Sequence, residues 1–417
     1  MAKTESSLRF DTRLIHGGTS PGPSGATKSP IVQASAFAYD TAEELEDIFK
    51  GRAIGQVYTR IGNPTLESLE KRLAAIEGGI AAIATSSGMA AITTAVMAIV
   101  RSGDEILSSA SLFGGTYSLF HDTLANYGIS TRFVDPTDAD ALRGAVNENT
   151  RLIFVETIGN PKMDVPDLAI FSAIARENGI PLMVDATVST PYLARVGELG
   201  ADIIVHSTSK YINGTANSIG GAIIDCGSFN WQSDKFPHFD QFYRKYRNFA
   251  LTARTRKLIH KDFGACAAPL NAFLNCEGLD TLSLRMERHC SNAMRVAQFL
   301  DAHEKVSWVN YPGLPDSPYF EVANRQFGGR FGGLLTFGVA DKASAFRVIN
   351  ALSLAKNLAN IGDTKTLVIH PASTICADYT PEVKALMGVG EELIRVSVGI
   401  EDIEDIIEDF AAALEQA

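Results

Sequence analysis

Between residues 63 and 262, short apolar runs at 81–84, 105–107, 131–134, 152–155, 182–184, 203–205 and 222–224 alternate with helix-patterned segments. Short apolar runs bounded by polar residues are what buried strands look like. Strands of that kind need cover on both faces, and the helical segments between them supply it. The pattern therefore predicts βα units and a mostly parallel sheet with helices on both sides. Ligands of such sheets bind beyond the carboxyl ends of the strands. The polar residues after each run are the ones to read for chemistry.

The run ending at Val205 leads into His206-Ser207-Thr208-Ser209-Lys210, and the run 182–184 ends in Asp185. If both are strands of one sheet, a lysine amine, a carboxylate and two hydroxyls reach a common pocket. Desolvation disfavours the lysine ammonium. That suits a lysine forming a Schiff base with pyridoxal phosphate (PLP), with Asp185 as the anion that keeps the pyridine nitrogen protonated. Two ordinary strands whose polar ends meet solvent would give the same letters.

Thr85-Ser86-Ser87-Gly88-Met89 lies between the first run and a helix-like stretch from Ala90 to Val100. The first amides of a helix lack internal partners and sit at the positive end of its dipole, so a phosphate fits there and Gly88 lets the backbone approach it. A serine N-cap without a ligand is the plain alternative. Tyr58 and Arg60, two apart in an extended segment, point the same way and can together grip a phosphate, and an ordinary exposed Tyr-x-Arg would give the same letters. Phe113, beside Gly114-Gly115, suits stacking on a flat ring, with a core phenylalanine as the alternative, and Asn160 follows another strand, where a turn asparagine before proline explains the same letters. Arg395 stands inside an apolar strand and needs an anionic partner, either a substrate carboxylate or a structural carboxylate. Gly328–Gly333 has no strand before it and no helix after it, so it reads as a bend and not a phosphate loop.

Residues 1 to about 60 are rich in Gly, Pro, Ser and Thr, notably from Gly17 to Gly25. They read as an extended arm with one short helix, Thr41 to Phe49, N-capped by Thr41 with Glu44 at its third position. Such an arm is expected to lie on a neighbouring subunit. A long amphipathic helix is expected between Cys266 and Leu300. Beyond it, runs at 308–309, 333–337, 366–369 and 393–398 and a closing helix from Asp402 to Leu414 fit a smaller α+β domain. The expected division is an arm at 1–62, a sheet domain at 63–262 and a C-terminal domain at 263–417.

The chain has 417 residues and a net charge of −11, a balance that argues against a nucleic-acid footprint. The apolar stretch 89–100 is too short to span a bilayer, and the N-terminus lacks the apolar core of a secretion signal. A cytoplasmic protein is expected. Five scattered cysteines without CxxC spacing and eight histidines without HExxH spacing indicate neither a disulfide framework nor a metal site.

Taken in order, YTRIGNPT, SSGMAA, GGTY, the Asp185 strand end, HSTSK and RVSVGIED resemble the Cys/Met-metabolism PLP-dependent enzymes over nearly the whole chain. The resemblance implies PLP-dependent transferase fold type I, like aspartate aminotransferase, in a homotetramer built as a dimer of dimers with shared active sites. It implies Lys210 as the Schiff-base lysine, Asp185 on the pyridine nitrogen and Phe113 stacked on the ring. Ser87, Gly88, Met89, Ser207 and Ser209 would hold the phosphate, with Tyr58 and Arg60 arriving from the partner subunit. Asn160 and Thr187 would complete the cofactor contacts, and Arg395, Asn360 and Tyr58 would meet the substrate.

Segments 229–237 and 360–374 look most like the O-acetylhomoserine sulfhydrylase branch, implying replacement of the acetyloxy group by sulfide or methanethiol. A sulfur-carrier protein is a further possible donor. Methionine or cystathionine γ-lyase, O-succinylhomoserine sulfhydrylase and a non-catalytic PLP-binding scaffold are the alternatives. Three places depart from the family pattern. Phe113 stands where a tyrosine is usual, Ala186 and Val188 replace an Asn and an aromatic, and Asn213–Asn217 lacks the usual Gly-His-Gly.

Overall fold

The computed structural model describes residues 8–19 and 25–417. Its larger sheet consists of β1 (Ala81–Thr85), β2 (Glu105–Ser109), β3 (Ser130–Val134), β4 (Thr150–Glu156), β5 (Leu182–Asp185), β6 (Ile203–His206) and β7 (Gly221–Asp225). These are the seven expected runs, each extended by one to three residues. The order is β1-β7-β6-β5-β4-β2-β3. All neighbours are parallel except β7, which runs antiparallel to both β1 and β6. Two reversals restore direction, so β1, β2, β4, β5 and β6 all end at one edge of the sheet, where β7 begins.

The central strands are apolar on both faces because two cores flank them. Ile153, Val155, Val184 and Ile204 face one core, and Leu152, Phe154, Met183 and Val205 face the other. Alternate residues of a strand point to opposite faces, so neither face of β4 or β5 needs polar residues.

A second sheet, ordered β10-β11-β12-β9-β8, forms from β8 (Trp308–Asn310), β9 (Leu334–Gly338), β10 (Lys356–Asn357), β11 (Leu367–Ile369) and β12 (Leu393–Ser397). The two-residue β10 has no hydrophobic signature and was not expected from the sequence. The bend at 328–333 leads into β9 as read, with Gly328 left-handed at the end of the helix Phe320–Phe327.

Two expectations need correction. The N-terminal segment holds a second helix, α1 (Phe10–His16), besides α2 (Ala42–Phe49), which Thr41 caps by accepting from the Glu44 amide. The segment also buries part of itself on its own chain. Leu14 is 1 % exposed, and its carbonyl accepts a 2.5 Å hydrogen bond from Arg72 on α3 (Pro64–Glu77). With one buried residue in seven, α1 gave no periodic signal. Residues 20–24 of the Gly/Pro-rich stretch and the N-terminal residues 1–7 lie outside the described residues. The long helix is also two helices, Pro269–Asp280 and Leu282–Asp301, broken at Thr281. Gly278 permits the close approach of segment 212–213, where a Cβ would lie 2.2 Å from the Ile212 carbonyl oxygen. Arg285 ties that junction by donating to the carbonyls of Tyr211, Ile212 and Gly278.

Candidate active site

A cavity of about 430 Å³ opens where the carboxyl ends of β1, β2, β4, β5 and β6 meet the second sheet. Of the residues singled out from the sequence, Ser87, Gly88, Met89, Phe113, Asn160, Asp185, Thr187, Ser207, Ser209, Lys210, Asn360 and Arg395 line it. Tyr58 and Arg60 do not. They line a separate cavity with Cys266 and Pro269, where the Arg60 guanidinium lies 5.4 Å over the Tyr58 ring and donates to the Lys261 carbonyl.

The candidate phosphate cup lies at the start of α4 (Gly88–Ile99), where Ser87 is the N-cap and accepts from the Ala90 amide at 3.0 Å. The amides of the first turn remain available to an anion. Gly88 is required here, because a Cβ would lie 2.6 Å from the Ser207 Cβ and 2.9 Å from its Cα. The loop after β6 therefore packs directly against the turn. Thr187 locks the loop from the other side by accepting from the Ser207 amide at 2.8 Å, and Ser209 exchanges hydrogen bonds with Gly220.

Lys210 Nζ donates to Asn360 Oδ1 at 2.5 Å. Burial, and then the nearby Arg395 charge, lower its pKa to about 8. A charged amine loses solvation there while gaining no carboxylate partner, so it gives up its proton more readily than an exposed lysine does. Asp185 at the end of β5 accepts from the Thr187 amide at 2.9 Å. Burial raises its pKa, and hydrogen bonds from Thr187 and the His206 charge oppose that rise. A carboxylate so placed is stabilised by any cation brought against it, such as a protonated ring nitrogen.

Arg395, on the central strand β12, is 4 % exposed. It donates to Asn160 Oδ1 at 3.0 Å and to the Asn360 carbonyl at 3.2 Å. Burial lowers its pKa to about 10. Among the described residues no carboxylate forms an ion pair with it, so the structural ion pair considered from the sequence is absent. A buried guanidinium held only by neutral oxygens is a receptor for an anion.

Phe113 is 40 % exposed, with its ring at the cavity. These donors and the ring fit PLP: an anion-binding turn, a desolvated amine, a buried carboxylate and an aromatic plane lie around one space. The sequence reading missed several wall residues, among them Glu156, Ile219, Ile361 and Ile375. Glu156 was findable, since it ends an apolar run in an acid as Asp185 does and is paired with Asp185 across the β4–β5 ladder. Ile375 carries no such signal, because it sits in a loop that arrives only through tertiary packing.

A family model described as Cys/Met metabolism PLP-dependent enzyme matches residues 11–415. An O-acetyl-L-homoserine sulfhydrylase of Leptospira meyeri is 42% identical, over 97% of this chain and 96% of the relative. A homocysteine synthase of Schizosaccharomyces pombe is also 42% identical, over 99% of both chains. Among solved structures, a Campylobacter jejuni chain assigned as an O-acetylhomoserine (thiol)-lyase, carrying a pyridoxyl-lysine phosphate, superposes with a TM-score of 0.94 at 34% identity. That match covers 98% of this chain and 100% of the other. A cystathionine gamma-lyase of Lactobacillus plantarum, complexed with L-serine, gives 0.87 at 29% identity, covering 98% and 99%.

Proposed function

The chain belongs to the Cys/Met metabolism PLP-dependent enzyme family, and on that basis we propose that it replaces the acetyloxy group of O-acetyl-L-homoserine by sulfide or methanethiol. The products are acetate and homocysteine or methionine. The observation that carries this reading is the meeting of Lys210, Asp185 and the counter-ion-free Arg395 on one cavity. Relatives named O-acetyl-L-homoserine sulfhydrylase and homocysteine synthase support the choice of substrate.

Bound PLP supplies an electron sink for the charge released when the substrate Cα proton is removed. Lys210 Nζ, the amine lining the cavity, takes that proton and relays it toward the neighbouring carbons. Asp185 holds the proton on the ring nitrogen, and Ser87, Gly88, Met89, Ser207 and Ser209 bind the phosphate. Asn160 and Thr187 orient the ring and the loop behind it. Arg395, with Asn360 beside it, binds the substrate carboxylate and so directs the side chain along the apolar wall. Phe113 stacks but has no hydroxyl to protonate a leaving group. Acetate, a weak base, departs without that help, whereas a thiolate does not. The phenylalanine therefore favours an ester substrate over a thioether.

Tyr58 and Arg60 serve the neighbouring subunit's phosphate in a homotetramer arranged as a dimer of dimers. Their position away from the cavity of their own chain and the exposed Phe49 and Ile54, 68 % and 104 % accessible, support this. Among the described residues no helix is long and apolar enough to cross a membrane, and cytoplasm is the proposed location. Free sulfide, a thiol or a sulfur-carrier protein would be the donor.

The deciding experiment measures acetate release from O-acetylhomoserine with and without sulfide, beside succinate release from O-succinylhomoserine and 2-oxobutyrate release from methionine. Sulfide-dependent acetate release is expected. Dominant 2-oxobutyrate formation would replace the reading with a γ-lyase. A cofactor spectrum that no substrate perturbs would leave a scaffold.

A further inference from the structure

Glu156 is a buried acid, 5 % exposed, that lines the cavity and has no place in the steps above. Its Oε1 accepts a 2.7 Å hydrogen bond from the Phe113 amide. The Phe113 ring is 40 % exposed, so core packing does not fix its direction; its backbone anchors do. The Phe113 carbonyl accepts from the amides of Thr116 and Tyr117 at 2.9 and 3.0 Å, which sets the turn into the short helix Gly114–Ser118. The next carbonyl, that of Gly114, accepts from the Tyr379 hydroxyl at 2.5 Å. Glu156 supplies the one anchor on the amide side. The ring lies against the turn itself, since a Cβ on Gly115 would come within 2.7 Å of the Phe113 Cε1. A small rotation of this turn therefore displaces the ring.

We propose that Glu156 is a positioning residue that holds the Phe113 ring against the cofactor plane through the Phe113 amide. The inference rests on the reading of Phe113 as the stacking ring. Glu156 faces Asp185 across the β4–β5 ladder. Burial, and then the charge of Asp185, push its carboxyl well above the usual range, with Asp164 adding to the rise and the Phe113 amide opposing it. Acceptance through Oε1 does not need the negative charge, so an uncharged acceptor of the same shape can replace it.

The test is a double-mutant cycle on cofactor affinity, in which apoprotein is titrated with PLP and binding is read by visible absorbance and by the circular dichroism induced in the bound cofactor. Loss of the stacking contact in Phe113→Leu should weaken binding roughly three- to tenfold. Glu156→Ala should weaken it by a similar factor and alter the induced dichroism, yet add less than about twofold in the Phe113→Leu background. Glu156→Gln keeps a carbonyl acceptor without charge and should bind within about twofold of the parent, with its dichroism retained. Additive effects in the cycle, or a Gln variant as damaged as the Ala variant, would overturn the proposal. If Phe113→Leu binds like the parent, the stacking reading itself falls, whereas the assignment of Lys210 is untouched.

Discussion

At the residue scale, protonation decides what Lys210 can do. If its free amine is the group that captures the cofactor carbonyl, as proposed, the capture rate of the apoprotein should rise with pH and level off above about 8. Rapid-mixing absorbance measures this, and a rate flat from pH 6 to 9 would contradict the lowered pKa. The same shift affects folding. The unfolded chain holds the extra proton between about 8 and the ordinary value of 10.5, so apoprotein stability from this group rises with pH across that window. In Lys210→Ala that slope should vanish together with the lysine-bound cofactor absorbance. Arg395→Leu removes charge-assisted hydrogen bonds worth roughly 1.5–3 kcal/mol, which corresponds to about a ten- to hundredfold fall in kcat/KM with the cofactor still bound. Steady-state kinetics against O-acetylhomoserine, with an unchanged absorbance spectrum as control, checks it.

At the element scale, the cup depends on two backbones meeting, the start of α4 and the loop after β6. Gly88→Ala forces Cβ into Ser207, an overpacking expected to cost about 1–3 kcal/mol. Because the displaced loop also carries Ser209 and Lys210, the substitution should raise the PLP dissociation constant as well as lower the urea midpoint. A variant with unchanged cofactor affinity would show that the phosphate does not sit at this turn. The reversal of β7 matters at the same scale. It brings Gly220 to the carboxyl edge of the sheet, where Ser209 is held from both its donor and acceptor sides.

At the scale of the whole molecule, the proposed role of Tyr58 and Arg60 in a neighbouring subunit's site is open to direct test. If the arm acts in trans, Lys210→Ala and Arg60→Ala chains fail in different halves of a shared site. Co-expressed, random dimers should recover about a quarter of the parental activity through the one intact site of each mixed pair. Activity no higher than that of either variant alone would place the arm's function within its own chain. A fold with Phe49 and Ile54 in water is otherwise hard to explain.

The alternation of runs and helices determined the large sheet, since strands apolar on both faces allow few other arrangements, and the polar ends of those runs contained Lys210, Asp185 and the Ser87–Gly88 turn. Local grammar was sufficient there because helix capping and strand burial leave marks within a few residues. It was not sufficient for α1, whose single buried Leu14 makes no period, or for the break at Thr281, which answers to the loop at 212–213. Nor could it show whether Arg395 had a counter-ion, that Glu156 reaches the Phe113 amide, or that Ile375 closes the pocket. Those depend on which distant segments come together, and only burial in the assembled fold lowers the pKa of Lys210 and leaves Arg395 among neutral oxygens.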